Sequence, residues 1–246
     1  MKSYDELFAL RGSTYDQAMT AFPTARRAEF DQLFRDFRPG AGSRVGDIPA
    51  GGGYLKDFLP AGCEWHGHEP CASFTNHGAN EAGTAGIPLL PVPWPDEHVD
   101  IACSLAGLHH LEDKRPLFTE IHRVTRQGGR FVVSDVEEGS SVSRFLDDFV
   151  GEWNSTGHEG LYLNGETIAE LESAGWEVER AATSDFHWKF ADREQMVAFC
   201  GRLFDITRAS PEQIDNAIET MLGTTMTPDG GTAMKWSLFT ITCLKR

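Results

Sequence analysis

The sequence predicts an α/β fold: a doubly wound, mostly parallel, seven-stranded sheet with a helical cap. Three observations predict it. Apolar β-like segments alternate with helical ones at the spacing of β-α units. Residues 99–104 are almost wholly apolar, as in a strand buried on both faces. Asp47, Glu69 and Ser104 each close such a segment, at the edge where doubly wound sheets hold their ligands. At 246 residues the chain is long enough for one such domain with a helical embellishment. It reads as residues 1–40, an N-terminal helical lid; 41–136, a ligand-binding core; and 137–246, cap helices with the last two strands.

Each element has its own signal. Residues 4–19 read as helical. In 24–37, Phe30, Leu33, Phe34 and Phe37 fall on one helical face. Residues 45–48 form a short buried strand that enters the turn 49–53. Leu55, Phe58 and Leu59 then predict a helix from Tyr54. Residues 64–68 are a strand, 72–82 a helix and 86–90 a third strand. The proline loop 91–96 is rigid, because proline fixes φ and lacks an N–H. Strand 99–104, helix 113–126, turn 127–129 and strand 130–135 follow.

In the second half, 142–149 reads as a short amphipathic helix and 151–164 as a polar and aromatic loop. Asn164 caps a helix to Ala174, with Gly175 at its C′ position. Strand 176–183 and helix 192–204 come next. Ser210-Pro211-Glu212-Gln213 is a capping box, with Ile214, Ile218 and Leu222 on the apolar face. A loop, 224–232, leads to a final strand, 234–244.

Composition narrows the function. The formal net charge of −15 opposes a nucleic-acid partner and an anionic membrane surface. Cys63, Cys71, Cys103, Cys200 and Cys243 are odd in number and lack a C-x-x-C, which suits a reducing compartment. The N-terminus lacks a signal-peptide apolar core, and no apolar run is long enough to span a bilayer. The expected setting is cytoplasmic and the expected partner a small molecule.

The organising stretch is Val45-Gly46-Asp47-Ile48-Pro49-Ala50-Gly51-Gly52-Gly53. A strand feeding a glycine-rich turn makes a nucleotide cradle, since glycines let backbone N–H groups approach a ligand. The spacing differs from G-x-G-x-x-G, which disfavours a nicotinamide or flavin site. Cys63, His66, His68 and Cys71 have zinc-ligand types. They straddle a strand whose alternate side chains face opposite ways, so no metal site is expected there.

The stretch 45–53 resembles the first motif of class I S-adenosylmethionine-dependent methyltransferases. Gly67-His68-Glu69-Pro70 resembles their acidic second-strand end. Residues 92–100 resemble the loop that enters strand four. Residues 104–111 and Ile121-His122-Arg123-Val124, followed by Gly128-Gly129-Arg130, complete the series. The resemblance is close over about residues 40–136, and Leu171-Glu172-Ser173-Ala174-Gly175-Trp176 adds the junction into strand six. It implies a Rossmann-like methyltransferase fold, S-adenosylmethionine as cofactor and S-adenosylhomocysteine as product. Glu69 would then accept the ribose hydroxyls. Asp47, Pro49, Gly51 and Gly53 would face the methionine part, Leu89 and Leu90 the adenine, and Ser104 and Leu105 the methyl centre. Two positions depart from the pattern: Pro49 replaces the motif glycine, and Pro88 stands where an acidic residue often meets the adenine.

Methyl transfer from a sulfonium needs an oriented nucleophile and the exclusion of water. A base helps if the acceptor is a hydroxyl or a protonated amine. His109 and His110, just beyond strand four, are the candidates. Tyr15, Trp153 and His158 are candidates for contact with the acceptor, Phe186 and Trp188 for an aromatic lining. The expected reaction is in-line methylation of O, N or C of a small molecule. The alternatives are carboxyl methylation of a carrier-bound acyl chain, and a cofactor-binding relative with other chemistry or no turnover.

Overall fold

A computed structural model describes residues 4–74 and 87–246, leaving aside the side chains of 5–7. In chain order the elements are α1 (Tyr4–Ala21), α2 (Arg27–Asp31), β1 (Arg44–Asp47), β2 (Glu64–Gly67), β3 (Val99–Leu105), α3 (Arg115–Val124), β4 (Thr125–Asp135), α4 (Ser141–Arg144), α5 (Gly151–Trp153), α6 (Gly165–Ser173), β5 (Trp176–Phe190), α7 (Arg193–Leu203), α8 (Pro211–Ala217), β6 (Thr224–Met226) and β7 (Thr232–Lys245).

The sheet has seven strands in the order β2-β1-β3-β4-β7-β5, with β6 paired to β7. β2, β1, β3 and β4 are parallel neighbours. β7 runs antiparallel to β4, β5 and β6, so β7 alone opposes the rest. The order reverses beside β1, and the C-terminal ends of β1 and β3 meet there, which is where such sheets open a ligand crevice.

Side-chain alternation builds a core on each face. Val45, Ile101, Cys103 and Val132 join Phe30, Leu33, Met196 and Phe199 on one side. Ile48, Ala102, Phe131 and Val133 join Leu117, Ile121 and Leu171 on the other. Val99 and Ile101 fall on opposite faces despite their even spacing, because a register shift lies between them. Helices therefore cover both faces, as the doubly wound reading expects. Among the described residues no helix is long and apolar enough to cross a membrane.

Several elements differ from expectation. Residues 87–90 form bends, not strand, while Gly86 lies outside the described residues; β6 supplies the seventh strand in place of the expected loop. The expected helix 72–82 is a 3-10 turn at Ala72–Phe74 and otherwise lies outside the described residues. The helix expected from Tyr54 is one 3-10 segment, Tyr54–Phe58. Helix 24–37 is α2 followed by a 3-10 turn, Gln32–Phe34. β4 begins at Thr125, through the expected turn, and β5 runs on to Phe190. The caps follow the sequence. Asn164 and Ser210 form capping boxes, and Asp192 accepts the Gln195 N–H at 2.8 Å.

Candidate functional site

The glycine turn leaves β1 at Asp47 and bends back over the end of β2. His68 N–H donates to the Asp47 carbonyl at 2.9 Å and Ala50 N–H to the His68 carbonyl at 2.9 Å. Gly51 and Gly53 have φ of 53° and 74°, a region that favours glycine. The turn lines one wall of a cavity. Asp47, Pro49, Ala50 and Gly51 face it from β1, Leu105, Ala106 and Gly107 from beyond β3, and Tyr4, Phe8 and Tyr15 from α1. Gly53 and Ser104 are not among its lining residues. Ser104 is fully buried, its Oγ without a hydrogen-bond partner.

Two carboxylates stand at the strand ends. Asp47 is buried, and its carboxylate accepts from Trp65 Nε1 at 3.2 Å. Burial pushes Asp47 well above the usual carboxylate range; the Trp65 hydrogen bond opposes this and the charge of Glu69 adds to it. Glu69 is fully buried. It accepts Gly51 N–H at 2.7 Å, Cys71 N–H at 2.8 Å and the Tyr4 hydroxyl at 3.0 Å. The acidic residue expected at the ribose is here the anchor of the turn and a latch for α1, and it is not among the residues lining the cavity. Leu89 and Leu90 are half-buried against the second core, and the Leu89 carbonyl lies 3.1 Å from His68 Nε2.

A second cavity adjoins the first. Phe8, Tyr15, Arg26 and Ala106 line both. Trp188, Trp236 and Phe204 form an aromatic wall of the second, with Trp188 and Trp236 stacked at 4.3 Å. Arg26 is buried and bonds Glu29 through Nε at 2.8 Å and Nη2 at 2.6 Å. It also donates to the Tyr15 hydroxyl. Glu29 in turn accepts from Trp188 Nε1 at 2.7 Å. Trp188 thus lines the chamber as expected. Phe186 and Trp153 are not among its lining residues, and Trp153 packs beside Phe149.

His109 and His110 reach the same chamber. Asp135, at the end of β4, is fully buried. One of its oxygens lies 2.7 Å from His109 Nδ1, and it accepts N–H groups of Leu108, His109 and Val136 at 2.7, 3.1 and 2.7 Å. Burial pushes its pKa up, yet His109 and these donors outweigh it, and Asp135 titrates below the usual range. Through this contact an ionised Asp135 favours a proton on the His109 Nδ1 and orients the ring with Nε2 directed away from the carboxylate. His158 is brought in by its own carboxylate, with Nδ1 3.0 Å from Asp147. Its ring centre is 5.5 Å from those of both His109 and His110. Burial first, then neighbouring cationic groups, lowers His110 well below 6.5; burial also lowers His158. The three imidazoles offer ring nitrogens within 4.8 Å of one another, the one group among the described residues with metal-ligand spacing.

Of the residues singled out from the sequence, His109, His110 and Tyr15 line the second cavity, and His158 packs beside the two histidines without lining it. Sequence reasoning missed Asp135, although Asp135 ends a predicted strand as Asp47 does. It also missed Tyr4, Arg11 and the Arg26–Glu29 pair, whose residue types look like solvated charge on a helix.

Known proteins share this fold. The methyltransferase domain family matches residues 47–133. The uncharacterized methyltransferase YcgJ of Bacillus subtilis is 29% identical over 124 residues, 45% of this chain and 47% of that protein. The chain thus spans about half the length of the curated relative it matches. In structure, YcgJ aligns over 89% of this chain and 98% of its own, with a TM-score of 0.60 at 18% identity. The [4+2]-cyclase SpnF aligns over 98% and 94%, with a TM-score of 0.61 at 16% identity. A Thermotoga maritima protein described as an S-adenosylmethionine-dependent methyltransferase and possible histamine N-methyltransferase aligns over 99% and 100%, with a TM-score of 0.61 at 14% identity. With its motifs in order around the glycine turn, the stretch that runs from the end of β1 into β4, residues 47–133, matches the methyltransferase domain family, and the chain as a whole has the fold of S-adenosylmethionine-dependent methyltransferases.

Proposed function

We propose that the protein transfers the methyl group of S-adenosylmethionine to a small acceptor held in the aromatic chamber. The observation that carries this reading is the pair of adjoining cavities, with the Asp135–His109 dyad at the second. The residues of the first cavity fit the cofactor. Asp47 is a buried carboxylate with no cationic partner within ion-pair range among the described residues, and an ammonium group supplies one. The turn 49–51 and the backbone of 105–107 would hold the amino-acid tail, and Glu69 the ribose. Bound there, the cofactor supplies a methyl already activated on a sulfonium.

The chain's own residues then have three tasks. The shared wall of Phe8, Tyr15 and Ala106 positions the acceptor and excludes water. The aromatic slab fixes the plane of its apolar body. His109, oriented by Asp135, takes the acceptor's proton on Nε2 when the acceptor is a hydroxyl or protonated amine. The acidic charge and the aromatic lining of the chamber support a small-molecule partner.

The test is incubation with methyl-labelled S-adenosylmethionine and a metabolite panel. A labelled product with stoichiometric S-adenosylhomocysteine supports the reading. Cofactor binding without label transfer across the panel favours a second one, non-methylating chemistry on the same fold. The likeness to SpnF, itself a cyclase, motivates that second reading.

The histidine cluster adds a prediction. Zn²⁺ favours neutral imidazole nitrogen, and occupation of His109 Nε2 removes the base. Zn²⁺ at micromolar levels is expected to inhibit turnover, and EDTA to restore it without depressing the untreated enzyme. Turnover that falls on EDTA treatment alone would assign the cluster a resident metal instead.

A further inference from the structure

We infer that the acceptor carries an anionic group, a carboxylate or a phosphate, on its apolar body, and that Arg11 is the residue that holds it. This rests on the methyltransferase reading for the word acceptor, but the binding site stands on its own geometry. Two arginines line the aromatic chamber, and they differ in one respect. Arg26 has a bidentate carboxylate partner in Glu29. Arg11, 5% exposed, has none within ion-pair distance among the described residues. Its Nε has no hydrogen-bond partner among the described residues. Among the described residues its one hydrogen bond runs from Nη2 to the Leu203 carbonyl at 3.5 Å, the outer limit for such a bond.

A buried guanidinium presents five N–H donors and is never neutral in a protein. Leaving it without a counter-charge is among the most unfavourable arrangements a fold can keep. Asp205 helps only through space, and its own carboxylate accepts from Ser155 Oγ. The Leu203 carbonyl, at the end of α7, attracts a cation weakly. An anion entering the chamber supplies what the site lacks, through the planar fork that suits carboxylate and phosphate.

Position makes the anion a handle rather than the methyl acceptor. Arg11 lines the aromatic chamber and not the cavity beside the glycine turn. It lines that chamber together with His109 and His110, and Phe8 of the same helix packs against the His110 ring at 5.5 Å. A ligand anchored there lays its apolar body against Trp188, Trp236 and Phe204, and its reactive atom is left to face Ala106, which both cavities share.

The test uses isosteric probes, each titrated calorimetrically into the full chain free of S-adenosylhomocysteine. Indole-3-acetate is compared with indole-3-acetamide, and phenyl phosphate with phenol. The anionic member is expected to bind at least about tenfold more tightly than its neutral isostere, a difference one charge-assisted pair readily supplies. Which anionic probe binds distinguishes carboxylate from phosphate. In Arg11→Gln the preference is expected to vanish, and in Arg11→Lys to persist in part. Equal binding of charged and neutral probes to the unaltered protein, failure of all four to bind, or a preference that survives Arg11→Gln overturns the assignment. The comparison on the unaltered protein stands even if the variants fail to fold. S-adenosylhomocysteine is titrated separately, so loss of the methyltransferase reading and loss of this one give different results.

Discussion

His109→Asn is expected to lower kcat by roughly 10²–10⁴-fold, the usual worth of a positioned general base, with little change in S-adenosylhomocysteine affinity. Asparagine can keep a donor near the position of Nδ1 and so preserve the contact with Asp135, found at 2.7 Å. It has no proton-accepting nitrogen. Asp135→Ala is expected to lose as much activity and, in addition, about 3–5 kcal/mol of stability. It strands three backbone N–H groups that Asp135 now satisfies, each unsatisfied donor costing about 1–3 kcal/mol before relaxation. For a chain of this size that is roughly a 10 °C fall in Tm. The two variants therefore separate proton transfer from architecture. Full turnover in His109→Asn on an acceptor that must lose a proton removes His109 from the chemistry. A thermally unaltered Asp135→Ala would mean that water replaces the carboxylate at the end of β4.

How much of this was legible depended on whether the signal was local. The first motif, the capping boxes at Asn164 and Ser210 and the apolar β3 are set by neighbouring residues, and the structure agrees with them. The segment 24–37 shows the opposite case. Its apolar row predicts one regular helix, yet Arg26, Glu29 and Gln32 form a second, buried polar row spaced by three. Gln32 Nε2 reaches Ser134 Oγ at 2.8 Å and Glu29 reaches Trp188. Residues three apart eclipse in a 3-10 turn, which suits the tightening at Gln32–Phe34. Partners more than a hundred positions away leave no mark in a local window. β5 is different again, since Phe186, Trp188 and Phe190 alternate in the sequence and pair along β7. Reading the first two as a pocket lining hid the period of the strand. Asp135 was visible as an acidic strand end and needed only the rule applied to Asp47 and Glu69. The identity of His109 as its partner required the fold.

Glu69 is the residue whose replacement is expected to reach furthest, because three donors among the described residues converge on it. Glu69→Ala frees the Gly51 and Cys71 N–H groups and the Tyr4 hydroxyl together. It is expected to destabilise the chain by about 3–5 kcal/mol and to weaken S-adenosylhomocysteine by on the order of 2–3 kcal/mol, one charge-assisted hydrogen-bond pair. Alone, that variant cannot separate a ribose contact from a collapsed turn. Tyr4→Phe can. Its hydroxyl and a ribose hydroxyl compete for the same carboxylate, and burial together with Glu69 holds the Tyr4 phenol protonated as a donor. Removing it while the Gly51 and Cys71 bonds remain is expected to tighten S-adenosylhomocysteine about threefold to tenfold, a fraction of one hydrogen bond to a charged group. It is also expected to loosen α1, seen as faster amide exchange over its first turns in the ligand-free protein. Unchanged affinity with faster exchange would show that Tyr4 only anchors the helix. Weaker affinity would show that the phenol stays in place and contacts the ligand itself, so that the lid closes over the ribose instead of yielding to it.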